Sequence, residues 1–154
     1  MNLKITVSFI TSAVLSIPAV AYSQELILSS KSYQADVLEK QGINSINAKA
    51  TGKVKSKNAA EACNRWRAAS LTECISRIIK DEKGKNYSIA ADCPALKITS
   101  HWGERFRLSS SWNDGTIRIQ SLDDGRVLDG SEASGWHIVR AQFMLLCPAY
   151  LNKN

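Results

Sequence analysis

Four cysteines, two histidines and four tryptophans carry most of the chemical potential of this 154-residue sequence. Cys63, Cys74, Cys93 and Cys147 form no close pairs, and neither His101 nor His137 completes the ligand spacing of a structural zinc site. Such cysteines point to two disulfides and hence to an oxidising compartment. The sequence has no Gly-x-Ser-x-Gly elbow, no His-Glu-x-x-His pair and no phosphate-cradling glycine loop. A lone histidine needs a positioned partner to act as a base. Glu104 and Asp114 could be drawn as a glycosidase pair, but two carboxylates occur somewhere in any small domain. Asp123, Asp124 and Asp129 lack the alternating oxygen ligands and closing Glu of an EF-hand. The expectation is a non-enzymatic protein without metal or cofactor.

Binding has better candidates. Trp66 and Trp112 fall on apolar stripes and are expected in the core. Trp102, in His101-Trp102-Gly103-Glu104-Arg105, and Trp136, in Ser134-Gly135-Trp136-His137, fall at turns, where an indole can anchor a partner or stack on a sugar. Alternation puts Arg105 and Arg107 on one face of a strand and Phe106 and Leu108 on the other. The candidate binding surface is therefore Trp102, Arg105, Arg107, Ser134, Gly135, Trp136 and His137.

The elements that would position these residues follow from patterning. Residues 1–23 have a basic start, an apolar run interrupted by Pro18, and small residues at Ala19-Val20-Ala21 or Ala21-Tyr22-Ser23, as in a secretory signal peptide cut after Ala21 or Ser23. No later segment approaches the length of a membrane span. Residues 24–57 show little sustained period and end in a lysine-rich run, which predicts a basic arm or linker. Apolar residues then recur at helical spacing over 58–80, and Asp81 to Asn86 is the stop signal. From Tyr87 onward short alternating runs are separated by Pro94-Ala95, His101-Trp102-Gly103, Asn113-Asp114-Gly115 and Asp123-Asp124-Gly125. Val139, Ala141, Phe143, Leu145 and Cys147 are taken as one face of a last strand. The predicted domain, 58–154, is α+β: an antiparallel meander of about five or six short strands, with one or two N-terminal helices on one face, braced by disulfides.

Three pairings of the cysteines are possible. In one straight helix Cys63 and Cys74 would lie roughly 16 Å apart, too far to bridge, and each would staple the helix to the sheet. A break at Ser70, where Ser70-Leu71-Thr72-Glu73 reads as a capping box, lets them meet across a helical hairpin. That arrangement pairs Cys63 with Cys74 and Cys93 with Cys147.

Charge is uneven. The formal net charge is +6. Residues 24–80 hold ten Lys and Arg against five Asp and Glu, whereas residues 81–154 hold nine of each. A basic region on an exported protein favours anionic envelope material, with a salt-sensitive pull. Nucleic acid is disfavoured, because the lysine run has no interleaved aromatics.

Over residues 87–148, Ala91-Asp92-Cys93, the Gly103 turn, Trp112, Asp124-Gly125-Arg126-Val127, Ala133-Ser134-Gly135 and Leu146-Cys147-Pro148 follow one another in an order that resembles small exported alphaproteobacterial domains, similar in plan to periplasmic inhibitors of peptidoglycan hydrolases and lysozymes. The resemblance implies a periplasmic (or secreted) protein whose partner is a cell-wall lytic enzyme. Inhibitors of that kind insert a Ser-Gly-x-x-Tyr loop into the hydrolase cleft; here Ser134-Gly135-Trp136-His137 is followed by Ile138. The positive charge would repel basic animal lysozymes and suits a lytic enzyme with an acidic surface. Two other readings remain open: a module binding envelope glycan or anionic lipid, and a structural or immunity-type adaptor.

Overall fold

The computed structural model describes residues 25–28, 34–109, 117–131 and 134–151. The expected signal peptide, Trp112, Asp114 and Ala133 lie outside these residues. Eight strands are described in chain order: β1 (Leu26–Leu28), β2 (Gln34–Gln41), β3 (Ala48–Lys53), β4 (Tyr87–Asp92), β5 (Lys97–Thr99), β6 (Arg105–Ser109), β7 (Arg118–Ser121) and β8 (Val127–Leu128). Helices α1 (Ser56–Arg65) and α2 (Leu71–Asp81) lie between β3 and β4, and α3 (Trp136–Leu146) and α4 (Pro148–Leu151) follow the last strand. Each strand pairs antiparallel with the next, so the sheet is a meander in sequence order. The α+β class holds, with more strands than expected and a different helix against the sheet.

The expected arm is part of that sheet. Residues 26–53 supply β1, β2 and β3, whose buried apolar residues are Ile27 on β1 and the small Ala35, Ala48 and Ala50 on β2 and β3. Between these alanines the lysines Lys49 and Lys53 point to solvent. Small residues also let the backbones close up: a Cβ on Gly52 would lie 2.7 Å from the Asp36 carbonyl oxygen. The β2–β3 register shifts between Val37 and Glu39, where Leu38 stays exposed.

The expected last strand is α3. Ile138, Val139, Gln142, Phe143 and Leu146 are its buried residues, a helical spacing that competes with the alternation of Val139, Ala141, Phe143, Leu145 and Cys147. Gly135 precedes it at φ 75°, a conformation open to glycine. Helix α3 contacts β1, β3, β4 and β7, so the sheet curls round it. Phe106, Leu108, Ile119, Phe143 and Leu146 are buried together in the core this creates.

The N-terminal helices form a hairpin beside that core rather than a layer on the sheet. Ser70 caps α2 by accepting the Glu73 N–H, and the break puts Cys63 and Cys74 6.0 Å apart between Cα atoms, disulfide-bonded. Cys93 and Cys147 are likewise bonded, 5.5 Å apart, joining the end of β4 to the end of α3. The hairpin has its own cluster of Ala59, Ala62, Cys63, Cys74 and Ile78. Trp66, expected in the core, is 44% exposed, because α1 stops at Arg65 and leaves the indole at the turn.

Asp36 ties the hairpin to the sheet. Its side chain is buried, with Oδ1 accepting from Asn58 Nδ2 at 2.9 Å and Oδ2 3.0 and 3.2 Å from the Lys55 and Lys57 ammonium groups. Burial opposes ionisation of this carboxyl, but the Asn58 hydrogen bond and the two lysines outweigh it and hold its pKa below 3.8. A second tie lies at the far end of α3. Asn44 donates its N–H to the Leu146 carbonyl at 2.9 Å, and its Oδ1 accepts from the Ala149 N–H at 3.0 Å.

Candidate functional site

Trp102 sits at the tip of the β5–β6 turn. The Gly103 N–H donates to the Ser100 carbonyl at 3.0 Å, and Gly103 takes φ 93° to close the bend. The indole is 36% exposed and is held edge-on by its neighbours, with ring centroids 4.5 Å from His101 and 6.2 Å from Phe106. His101 is fixed in turn by α3: its N–H donates to Gln142 Oε1 at 3.3 Å, and its Nδ1 lies 2.7 Å from Gln142 Nε2. Its ring is 5.4 Å from that of Tyr87, whose hydroxyl donates to buried Glu82 at 2.8 Å. Burial lowers the His101 pKa from 6.5 to about 4, with the Gln142 contact pulling the other way. A neutral imidazole thus backs the Trp102 ring at neutral pH.

The start of α3 adjoins this platform. A Cβ on Gly135 would lie 4.0 Å from Trp102 Cη2, an ordinary contact distance, so the start of α3 passes beside the indole. Ser134 is a structural residue: its hydroxyl donates to the Ser131 carbonyl at 2.8 Å and accepts the Trp136 N–H at 3.3 Å. Trp136 is half-buried, donates its indole N–H to the Ile117 carbonyl at 2.8 Å, and lies beneath the Arg140 guanidinium, 5.7 Å from the ring centroid. His137 is exposed on the first turn of the helix.

The two arginines lie elsewhere. Phe106 turns inward to Trp102, so Arg105 and Arg107, its neighbours on β6, face the opposite side of the sheet. Arg105 is committed to Asp123, with Nε and Nη2 2.8 and 2.6 Å from Oδ1 and the backbone N–H 2.9 Å from Oδ2. That backbone hydrogen bond, with the guanidinium, lowers the Asp123 pKa. Of the seven candidates, Trp102 and Gly135 meet, Ser134, Trp136 and His137 lie at the start of α3 with Trp136 bonded to Ile117, and Arg105 and Arg107 form an outer cationic face.

No family model, curated protein or solved structure matches the chain. No relative assigns a role to any of these side chains.

The outer face also holds a groove that sequence reasoning missed. It holds about 280 Å³ and is lined by Ala90 and Thr99, by the cations Lys49, Lys97 and Arg105 with one acid, Asp92, and by exposed Ile46 and Leu122. Strand pairing assembles it, since Lys49 faces Ala90, Ala90 faces Thr99 and Thr99 faces Arg105 across four strands. Lys49 had been assigned to the arm, so only its alternation with Ala48 and Ala50 could have revealed this row. Rigid aromatic and cationic surfaces of this kind can grip a ligand. Among the described residues, no group of three or more His, Cys, Asp or Glu could hold a metal ion.

Proposed function

We propose that this chain is a non-enzymatic binding protein of the periplasm or another oxidising compartment, and that it restrains a cell-wall lytic enzyme by covering its glycan-binding cleft. The observation that carries the reading is Trp102: a part-exposed indole at a turn tip, backed by His101 and Phe106 and flanked by Gly135 at the start of α3. An aromatic side chain already held in place loses little freedom on binding and can fill the groove where a sugar would stack. Ser134 to His137 would line the contact beside it. The disulfides add support, because all four cysteines are paired, as suits an exported scaffold.

The test is lysis of purified cell walls by the host's lytic enzymes with and without the protein. Slowed lysis and one-to-one binding, both lost in Trp102→Ala, are the expected results. If neither those enzymes nor a lysozyme panel is slowed, the proposal fails. The outer groove favours a second reading, direct binding of an acidic envelope glycan between Lys49, Lys97 and the apolar rims. In that case the protein would sediment with cell walls in the absence of any enzyme, and Lys49→Glu would release it.

A further inference from the structure

The apex of the α1–α2 hairpin departs from what its backbone favours. Helix α1 ends in a Schellman cap, in which the Arg67 N–H donates to the Asn64 carbonyl and the Ala68 N–H to the Cys63 carbonyl, both at 3.1 Å. The residue after the helix in such a cap takes a left-handed conformation and is usually glycine. Here it is Arg67, at φ 52°. An L side chain is strained in that region, so a guanidinium is being held where glycine would serve the fold better.

What surrounds Arg67 says what the guanidinium is for. Trp66 and Leu71, 44% and 43% exposed, project from the same turn. Residues 64–77 contain three arginines, Arg65, Arg67 and Arg77, against one acid, Glu73, and all four side chains are exposed. The Cys63–Cys74 disulfide lies directly behind the turn and keeps its two arms together. The apex is thus a braced turn that exposes two apolar side chains among three arginines and one acid, beside a hollow of about 440 Å³ lined by Ala68, Ser70, Glu73 and Arg77.

We propose that this apex docks the protein on an anionic phospholipid surface, with Trp66 and Leu71 entering the headgroup layer and Arg65, Arg67 and Arg77 facing the phosphates. Indoles favour the membrane interface, and cations near an anionic leaflet add attraction that salt screens. Three arginines against one acid beside two exposed apolar side chains match the charge and polarity of an anionic leaflet. Docking would be superficial, since no helix among the described residues is long and apolar enough to cross a membrane. This surface is separate from Trp102, so the two functions can fail independently.

Flotation of the full, oxidised chain with phosphatidylcholine vesicles, with and without an equal part of phosphatidylglycerol, tests the inference. Binding several-fold stronger to the anionic vesicles, weakened by salt, is expected. Arg67→Gly is the decisive variant, because it suits the cap: the melting temperature should hold or rise while vesicle affinity drops about fivefold. Trp66→Ser should weaken binding further with both disulfides intact. Equal binding to neutral and anionic vesicles, or wild-type vesicle affinity in both variants, would overturn the inference. So would a Trp66→Ser protein that loses a lytic enzyme but keeps the vesicles, since the apex would then be a protein contact. Vesicle binding without any restraint of lysis would leave this inference standing and the Trp102 reading refuted.

Discussion

The curled sheet and the helical hairpin are stabilised by different means. Around α3 the sheet buries Phe106, Leu108, Ile119, Phe143 and Leu146, large side chains that fill a continuous interior. The hairpin buries fully only alanines, a disulfide and Ile78, with Val54, Ile75, Ile79 and Tyr87 half-buried against them, and leaves Trp66 and Leu71 outside. Two short helices with so small a core would be marginal alone, so covalent bracing and the Asp36 tie must supply what packing does not. The difference teaches that exposure at the apex is compatible with order when sulfur and a buried ion pair hold the arms.

The largest expected effect belongs to the sheet side. Phe143→Ala should lower global stability by about 3–5 kcal/mol in denaturant titration, and a loss under about 1 kcal/mol would deny α3 its central place. Next, replacing Cys93 and Cys147 by serine should cost roughly 2–5 kcal/mol of global stability. The same change at Cys63 and Cys74 should instead speed amide exchange over 56–81 while 87–146 stays protected. Simultaneous loss of protection in both regions would erase the distinction.

Titration sharpens the comparison, because each side carries a displaced group away from the fully exposed carboxylates. The neutral form of His101 stabilises the sheet side fully above pH about 6.5, and that contribution is lost as pH falls through the folded-state pKa of about 4. Partial solvent access keeps the loss below the roughly 1.4 kcal/mol per pH unit that one fully shifted group could give. His101→Phe should flatten the melting temperature across this window. Asp36, held below 3.8, acts at lower pH: its stabilisation is complete above the ordinary carboxylate range and lost as pH falls through its depressed value. Asp36→Asn should remove that acid dependence and loosen the hairpin first. The smallest stability effect is expected for Trp102→Ala, under about 1 kcal/mol for a part-exposed side chain, measured by thermal melting beside its lysis assay. Trp136→Ala should cost more, since its indole is half-buried and bonded to Ile117. The reverse order would make Trp102 a core residue and weaken the functional proposal.

Legibility in the sequence followed side-chain size. Strands β6 and β7 were readable because Phe106, Leu108 and Ile119 alternate with charges, and the hairpin turn because Ser70 and Glu73 form a cap signal. Strands β2 and β3 were not, because their buried alanines and glycine leave little hydrophobic signal while their lysines imitate a solvated arm, and β1 is only the three residues Leu26–Leu28, too short to show a period. Helix α3 is apolar on most of its surface, so periods of two and 3.6 residues both fit Trp136–Leu146. Of the candidate site, Trp102 and its glycine neighbour at 135 could be named from turns. That Arg105 and Arg107 lie across the sheet from Trp102 was implicit in strand alternation, and the groove needed β3 to be recognised first.

The grip of Asn44 on the end of α3 carries a consequence for how the chain matures. Two backbone contacts join the β2–β3 turn to a segment about a hundred positions later, and Cys147 lies between their partners Leu146 and Ala149. Correct oxidation with Cys93 therefore requires the chain to have been delivered as far as Cys147, and non-local closure of this kind is slow. A chain stalled or shortened before Cys147 would keep the Cys93 thiol without its partner, which gives an oxidative folding machinery a chemical mark by which to tell finished molecules from unfinished ones.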